Sequence, residues 1–194
     1  MRLVWRRGFV LVLVTLLAAA CGGGSTSSTS NEKAKESPSP SPSPVRYAVS
    51  DVCTLVTLDD AKAQLKDQQI VNLTAQAGVS IPGFCFYGDN AANKNLSVFI
   101  YAVASADAAS ADQVQPEQLA AAMGGRVGIN NAHPVSGIGD KAVEYTTTSS
   151  SGNGLAIFAF KSNVVIMVAV QPTNDPNAVE GLAKTAIGNL KTAA

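Results

Sequence analysis

The sequence predicts an α+β fold in which an antiparallel sheet of about six strands carries helices on one face. Three observations predict it. Short apolar segments rich in Val, Ile, Phe and Tyr recur between Gly, Pro, Asn and Asp residues, which is typical of strands. Three other segments carry helix start and stop signals or apolar residues at helical spacing. The strands follow one another through short connections, and this favours antiparallel pairing.

The first half of the predicted domain contains one helix and three strands. Thr57 and Asp60 have the spacing of a capping box, so a helix is predicted to begin after Thr57 and to end at Leu65. Its apolar face would consist of Leu58, Ala61 and Leu65. Gly, Pro, Asn or Asp bounds each of three further segments, which are predicted to be strands: residues 70–76, 84–88 and 96–104.

The second half contains two helices and three strands. Pro116 suits a first helical turn and Gly124-Gly125 stops a helix, so a helical region is predicted to end in residues 116–123. The last helix, residues 176–190, has one apolar stripe, formed by Val179, Leu182, Ala183, Ala186, Ile187 and Leu190. Strands are predicted at residues 141–148, 154–161 and 164–170. A tight turn at Ser162-Asn163 joins the last two. This order allows two β-β-β-α halves, although no residue-level repeat relates them.

The chain begins with the parts of a secretion signal. Three arginines precede an apolar stretch at residues 8–20, and this stretch ends in small residues. The stretch is shorter than the roughly 20 apolar residues of a membrane-spanning helix. Cys21 follows Ala18-Ala19-Ala20, and this resembles a bacterial lipoprotein signal, in which the cysteine is acylated and becomes the first mature residue. Residues 1–20 are therefore predicted to be a signal peptide and Cys21 the lipid anchor, on the extracytoplasmic face of the cell membrane. Ordinary signal peptidase also accepts Ala-x-Ala, so secretion without lipid is the alternative.

Residues 21–44 are predicted to be the lipidated cysteine and a linker. Gly, Ser and Thr come first, a charged patch follows at residues 31–36, and Ser-Pro is then repeated to Pro44. Gly/Ser segments are flexible, whereas alternating proline favours extended polyproline II at about 3.1 Å per residue. The segment lacks the apolar residues of a core. It is interpreted as a spacer, with a docking ligand or a glycosylated stalk as the alternative.

Two cysteines remain if Cys21 carries lipid. Cys53 and Cys85 are an even number in an oxidising compartment, and we predict that they form a disulfide. Closing that loop would stabilise the fold by about 3 to 4 kcal/mol on the chain-entropy model. Two separate buried thiols are the alternative.

Residues 45–194 have the length of one globular domain. The chain has 14 basic and 14 acidic residues, and the leader carries three of the basic residues and none of the acidic ones. The mature protein is therefore acidic and has no basic run. This charge argues against nucleic acid as a partner and against a second electrostatic contact with anionic lipid.

Three short motifs carry a family resemblance. Residues 51–57 read Asp-Val-Cys-Thr-Leu-Val-Thr, the second cysteine lies in Cys85-Phe86-Tyr87, and Gly137-Ile138-Gly139-Asp140 precedes a predicted strand. In these motifs the chain resembles small secreted lipoproteins of actinobacteria and related bacteria, mostly of unknown function. In that family the first motif is Asp-Pro-Cys-x-Leu-Leu-Thr, and Val52 replaces its proline here. The resemblance covers most of residues 45–190 and implies the fold, the disulfide and the compartment, but no catalytic residue.

Catalytic patterns are weak throughout the sequence. His133 is the only histidine and lies in the turn-rich segment 130–134, so it is interpreted as a surface or capping residue. Residues 137–142 fit the dinucleotide pattern GxGxxA, yet a predicted strand follows where that pattern requires a helix, and a turn is predicted instead. The loop at residues 88–93 has too little charge for a calcium site. The carboxylates are scattered among caps and turns: Asp59, Asp60, Asp89, Asp140, Glu144 and Asp175. No catalytic residue, metal or cofactor is predicted, and the chain is expected not to be an enzyme.

Three predicted strands are apolar on both faces. A half-exposed antiparallel sheet alternates apolar with polar residues, so something must cover its second face. The plain explanation is that helices cover one face and that loops or a partner subunit cover the other. The alternative is a concave apolar face that takes up a lipid-like molecule or the apolar surface of a partner protein. The candidate residues of that face are Phe99, Tyr101, Tyr145, Phe158, Phe160 and Met167.

The sequence therefore predicts a lipid-anchored cell-envelope protein that acts as a non-catalytic binding or accessory domain. A carrier of a hydrophobic small molecule or lipid is the alternative. The expected partners are the membrane, through the anchor, and an envelope protein or a lipid ligand. An enclosed cavity of several hundred Å³ would favour the carrier, whereas a flat apolar patch would favour binding to a protein.

Overall fold

A computed structural model describes residues 44–77, 82–89, 96–122, 128–149 and 152–194. The predicted signal peptide, Cys21 and the linker as far as residue 43 lie outside the described residues, as do residues 90–93 and Gly124-Gly125. In the part of the chain that is described, no helix has the length and apolar character needed to cross a membrane.

Strands and helices follow one another along the chain in two groups. The first group is β1 (Tyr47–Ala48), a 3-10 turn (Val52–Thr54), α1 (Leu58–Leu65), β2 (Ile70–Asn72), β3 (Phe84–Asp89), β4 (Ser97–Ala104), α2 (Ala108–Ala111) and α3 (Pro116–Ala122). The second group is β5 (Gly128–Val135), β6 (Lys141–Ser149), β7 (Gly152–Lys161), β8 (Val164–Gln171), α4 (Pro176–Gly188) and β9 (Lys191–Thr192).

A seven-stranded antiparallel sheet forms the centre of the fold, and the predicted α+β class is confirmed. Its strand order is β2-β3-β4-β8-β7-β6-β5, and β1 pairs separately with β9. Within this sheet, β4 is the last strand of the first group and β8 the last strand of the second, and the two are neighbours. The sheet therefore consists of a three-strand and a four-strand meander joined side by side.

Several predicted boundaries differ from the observed ones. β2 ends at Asn72 instead of residue 76, because the Asn72 side chain accepts a hydrogen bond from the Thr74 N–H and the chain turns there. The last helix ends at Gly188, two residues short of Leu190. The sequence pattern did not predict α2 as a separate helix.

The strand β5 was not predicted. His133 therefore lies in an edge strand and not in a turn, which corrects the interpretation of residues 130–134. Most β5 side chains are exposed, so the segment has no apolar alternation, and its Pro134 is tolerated because edge strands leave backbone groups unpaired. Pairing with β6, interrupted by a bulge between Asn130 and His133, defines the strand.

Helices α1 and α4 cover one face of the sheet, which we call the helix-covered face. Thr57 and Asp60 form the predicted capping box at the start of α1. The apolar stripe of α4 is buried against strands β7 and β8, with Val179 and Leu182 completely inaccessible. Fully burying a Leu or Val side chain contributes about 1.5 to 3 kcal/mol. This layer forms the main core.

The predicted disulfide is present. Cys53, in the 3-10 turn, and Cys85, in β3, are joined with a Cα–Cα distance of 5.2 Å. The buried Tyr87 hydroxyl donates to the Val56 carbonyl at 2.6 Å and lies 3.3 Å from the Cys53 carbonyl. Burial, with nearby Asp51 and Asp60, raises the pKa of Tyr87 to about 12. A covalent bond and a buried hydroxyl therefore hold the same turn against the sheet.

The predicted hairpin turn between β7 and β8 is confirmed. Ser162 has a positive φ of 50°, and the buried Asn163 side chain accepts from Tyr47 N–H at 2.7 Å. The Asn163 amide also donates to the carbonyls of Tyr47 and Ser105. One turn residue thus connects the β1 segment and the end of β4 to the sheet.

Candidate functional site

The structure places all six candidate ligand residues on one face of the sheet, opposite the helix-covered face. The strand register shows this, because directly paired residues of neighbouring strands point to the same face: Tyr101 of β4 pairs with Met167 of β8, and Met167 pairs with Phe158 of β7. Buried members of the cluster are Ala111, Ala156, Phe158, Phe160, Val165, Met167 and Ala169. Partly buried members are Phe99, Tyr101, Val103, Val114, Leu119 and Tyr145. We call this surface the aromatic face.

Helices α2 and α3 and their connection lie over one part of the aromatic face. Ala111 is buried there, and Val114 and Leu119 pack against the sheet. The Lys141 ammonium lies 3.2 Å from the Asp112 carboxylate and 4.5 Å from the centre of the Phe160 ring, which ties α2 to β6 and β7. Two short helices and their connection therefore cover this part, where the sequence predicted helices on the other face only and loops or a partner subunit here.

Aromatic rings that the sequence did not single out extend the face onto β3. Phe84 and Phe86 are partly buried, and the Phe86 ring stacks on Phe99 at 4.7 Å between ring centres. Phe84 lies 6.0 Å from Phe99. These three rings, with Tyr101, form the outer aromatic cluster of the face. The alternation of Phe84 and Phe86 in β3 is visible in the sequence, but all six residues predicted for the face belong to other strands.

A small cavity opens between the helical cover and the sheet. It has a volume of about 150 Å³. Its lining residues are Asp112, Val114, Gln115, Pro116, Lys141, Val143, Tyr145, Phe158 and Phe160. Three of the six candidate residues, Tyr145, Phe158 and Phe160, meet here. Tyr145 contacts Phe158 edge to face at 5.4 Å, and burial together with the nearby Glu117 raises the pKa of Tyr145.

A buried carboxylate lies on the helix-covered face. Glu144 lies within β6 and its side chain is 4% exposed, which corrects its predicted place among the carboxylates of caps and turns. His133 Nε2 lies 3.1 Å from Glu144 Oε1, whereas Glu144 Oε2 has no hydrogen-bond partner in the described part of the chain. Burial raises the pKa of Glu144, the nearby His133 opposes the rise and Glu180 adds to it.

The Glu144 environment gives a pH-dependent prediction. A carboxyl whose pKa is raised on folding favours the folded state while it is protonated, and this contribution is lost as the pH rises through the folded pKa. Glu144→Gln should therefore increase the free energy of unfolding near pH 7 relative to the original chain, and the gain should vanish below about pH 4, where both states are protonated. Urea denaturation at the two pH values measures it.

The control for that prediction is Glu117→Gln. Glu117 is exposed, so the same chemical change there should leave stability nearly unchanged at both pH values. A Glu144→Gln chain that is less stable than the original near pH 7 would contradict the account.

The described residues place no nucleophile beside the His133–Glu144 pair and form no metal cluster. The His133 ring contacts the Asn131 carbonyl and Glu144, and no hydroxyl or thiol among the described residues hydrogen-bonds to it. No group of three or more His, Cys, Asp or Glu among residues 44–77, 82–89, 96–122, 128–149 and 152–194 is arranged to hold a metal.

The glycine-containing motif before β6 is a turn. Gly139 has a φ of 62°, and a Cβ there would clash with the Phe160 carbonyl oxygen. Asp140 accepts from Lys161 Nζ at 2.8 Å and from the Ser162 N–H at 2.7 Å, and these two hydrogen bonds hold the pKa of its carboxyl below the ordinary value. The motif therefore joins the start of β6 to the β7–β8 turn.

A polar groove lies on the helix-covered face, beside the segment that precedes α4. Its volume is about 580 Å³. Its lining residues are Asn130, Asn131, Thr146, Thr147, Thr148, Asn153, Gly154, Leu155, Thr173 and Asn174. We call it the Asn/Thr groove. The sequence did not predict it, because four separate segments contribute to it. The only local signals are the pair Asn130-Asn131 and the triplet Thr146-Thr147-Thr148.

Comparisons with known proteins add a fold likeness. No protein-family model matches the chain, and no curated protein matches it. The crystal structure of the extracellular domain of PknH from Mycobacterium tuberculosis is similar, with a TM-score of 0.44 and 13% identity over 71% of this chain and 93% of that one. The solution structure of cyanobacterial PsbP (CyanoP) from Synechocystis sp. PCC 6803 has a TM-score of 0.40 and 11% identity over 65% of this chain and 83% of that one. Functional conclusions therefore rest on the side chains of this chain.

Proposed function

We propose that this protein is a lipid-anchored accessory domain of the cell envelope that binds another protein through its aromatic face and carries out no catalysis. The observation that carries the proposal is the outer aromatic cluster of Phe84, Phe86, Phe99 and Tyr101. These four large side chains stand side by side on β3 and β4 and are only partly buried. Aromatic residues are enriched where protein surfaces bind one another.

The form of the aromatic face supports a protein partner over a lipid cargo. A carrier encloses its ligand in a cavity of about 300 to 1,000 Å³. The cavity described at this face has about 150 Å³ and is rimmed by Asp112, Gln115 and Lys141. The Phe84, Phe86 and Phe99 rings stack along the sheet surface, with ring centres 4.7 to 6.3 Å apart. A stacked, shallow surface suits a flat partner.

The proposed location rests on the leader and on the disulfide. Residues 8–20 and Cys21 have the order of a lipoprotein signal, and disulfides such as Cys53–Cys85 persist in oxidising compartments. The Gly/Ser/Pro segment that follows Cys21 would act as the spacer between the membrane and the folded part. Such a tether keeps the aromatic face close to other envelope proteins and raises their effective concentration.

Photo-cross-linking in native membranes tests the proposal. A benzophenone-bearing phenylalanine analogue at position 86 should cross-link to another polypeptide, whereas the same analogue at the exposed Gln68 should not. The cross-linked polypeptide, once purified, should bind the detergent-solubilised full chain. Its affinity for the double variant Phe86→Ser, Phe99→Ser should be lower by at least about tenfold, the size expected for central aromatic contacts.

Three outcomes decide the matter. A position-specific cross-link whose partner binds the variant more weakly supports the proposal. Cross-links to lipid alone would favour the carrier and overturn the accessory role. Equal yields from positions 86 and 68 would also overturn it, because the aromatic face would then have no partner of its own.

A further inference from the structure

We infer that the Asn/Thr groove is a second binding site, specific for a short, uncharged oligosaccharide. The groove is separate from the aromatic face: Asn130, Thr146 and Leu155 share a register row with Val170, on the helix-covered side of the sheet. The inference is therefore independent of the protein partner proposed above.

The chemistry of the lining defines the ligand class. Four side-chain amides and the hydroxyls of Thr146, Thr148 and Thr173 line the groove, and Leu155 is its one large apolar side chain. The register places the Thr147 side chain on the opposite side of the sheet. Amides and hydroxyls both donate and accept hydrogen bonds, as sugar hydroxyls do. The lining contains no Lys, Arg, Asp or Glu, so a phosphate or carboxylate would find no counter-charge there. A polyhydroxylated neutral ligand matches this set.

Several groups in the groove are free to bind. The residues Asn130, Thr148, Asn153 and Asn174 are exposed, and their side-chain amides and hydroxyl form no hydrogen bond with another described residue. They come from β5, β6, β7 and the segment before α4. Three adjacent strands and the segment that precedes α4 therefore line a common space of about 580 Å³, which is within the range of small-molecule sites.

One wall of the groove is fixed in advance. On the wall, Asn131 has a φ of 53° at the β5 bulge, and its amide donates to Thr146 Oγ1 at 3.1 Å. Bulges often orient a side chain next to a binding site, and fixed groups cost less to order when a ligand binds.

The test is an NMR titration of the full chain in a detergent without a sugar headgroup. The probes are chitotriose, mannotriose and maltotriose at millimolar concentration, with a heparin tetrasaccharide and a neutral Gly/Ser hexapeptide as comparison ligands. We expect at least one trisaccharide to shift the side-chain amide signals of Asn130, Asn153 and Asn174. The signals of the aromatic face should stay in place.

Variants assign the binding to the groove. The double variant Asn130→Ala, Asn174→Ala should weaken trisaccharide binding by at least about tenfold, because it removes two hydrogen-bonding amides. The matched control, Gln68→Ala, Gln69→Ala, removes two exposed amides outside the groove and should bind as the original does. Spectral dispersion reports whether each variant is folded.

Every outcome is decisive. Groove-specific shifts that the first variant weakens and the control does not weaken support the inference. The absence of shifts with all three trisaccharides would overturn it. Shifts with the heparin fragment or the hexapeptide alone would also overturn it and would assign an anionic or peptide ligand instead.

Discussion

Replacement of both Cys53 and Cys85 by alanine is expected to lower the free energy of unfolding by about 3 to 4 kcal/mol. The disulfide spans a sequence separation of 32 residues, and its removal restores the conformational freedom of that loop in the unfolded chain. The two ends lie in the 3-10 turn before α1 and in the sheet strand β3. Urea denaturation of the oxidised protein and of the double variant measures the difference.

The fold itself should survive the loss of this disulfide. The buried Tyr87 hydroxyl still bonds to the Val56 carbonyl, and most residues of the large apolar core of the helix-covered face lie outside the crosslink, which contributes only Cys85 and the partly buried Cys53. A reducing agent should destabilise the original protein but leave the double variant unchanged, which separates the crosslink from other effects of the solvent. A stability loss below about 1 kcal/mol would contradict the role assigned to the disulfide.

Cys21→Ser is expected to abolish membrane anchoring. Each buried CH₂ group of an acyl chain contributes about 0.8 kcal/mol to membrane association, so a chain without acylation loses its only proposed hold on the bilayer. The variant should appear in the medium, or it should accumulate as an uncleaved precursor. Cell fractionation followed by immunoblotting distinguishes the two from the anchored mature form.

A change elsewhere in the linker provides the control for Cys21→Ser. Ser25→Ala alters one side chain of the same segment without removing the thiol, and anchoring should be retained. Mature-sized Cys21→Ser protein that remains in the membrane fraction would show that acylation of Cys21 is not the anchor.

The elements that the sequence predicted well are those with a strong local pattern. The α1 capping box needs only Thr57 and Asp60, and the α4 stripe repeats at helical spacing. Strands β4, β7 and β8 are apolar on both faces, and the structure buries both faces of β7 and β8 and leaves one face of β4 partly exposed. The disulfide was predicted because two cysteines remain once Cys21 is assigned to the lipid. Each of these signals is carried by residues close in sequence or by a simple count.

The features that the sequence did not predict depend on tertiary contacts. β5 exists because β6 offers it a partner, and its own residues Asn130 to Pro134 resemble a turn. Glu144 was grouped with the carboxylates of caps and turns, yet it lies buried within β6, with His133 of β5 beside it and Glu180 of α4 near enough to raise its pKa. The Asn/Thr groove draws side chains from four segments, so no periodicity or motif marks it.

Two opposite faces of one sheet thus carry different chemistry. The aromatic face offers stacked rings with little enclosed space, and the groove on the helix-covered side offers neutral hydrogen-bonding groups. Variants of one face serve as controls for the other, because the two sets of residues are separated by the sheet itself. Simultaneous loss of both binding activities would instead point to a folding defect.

Native mass spectrometry of the protein extracted from its own membranes tests the central claim most directly. The account predicts a mature chain that begins at Cys21 and carries fatty acids, with the Cys53–Cys85 disulfide intact and with a bound polypeptide that is lost from the Phe86→Ser, Phe99→Ser variant. A chain without fatty acids, or one that carries only a lipid in its fold and no polypeptide, would contradict it.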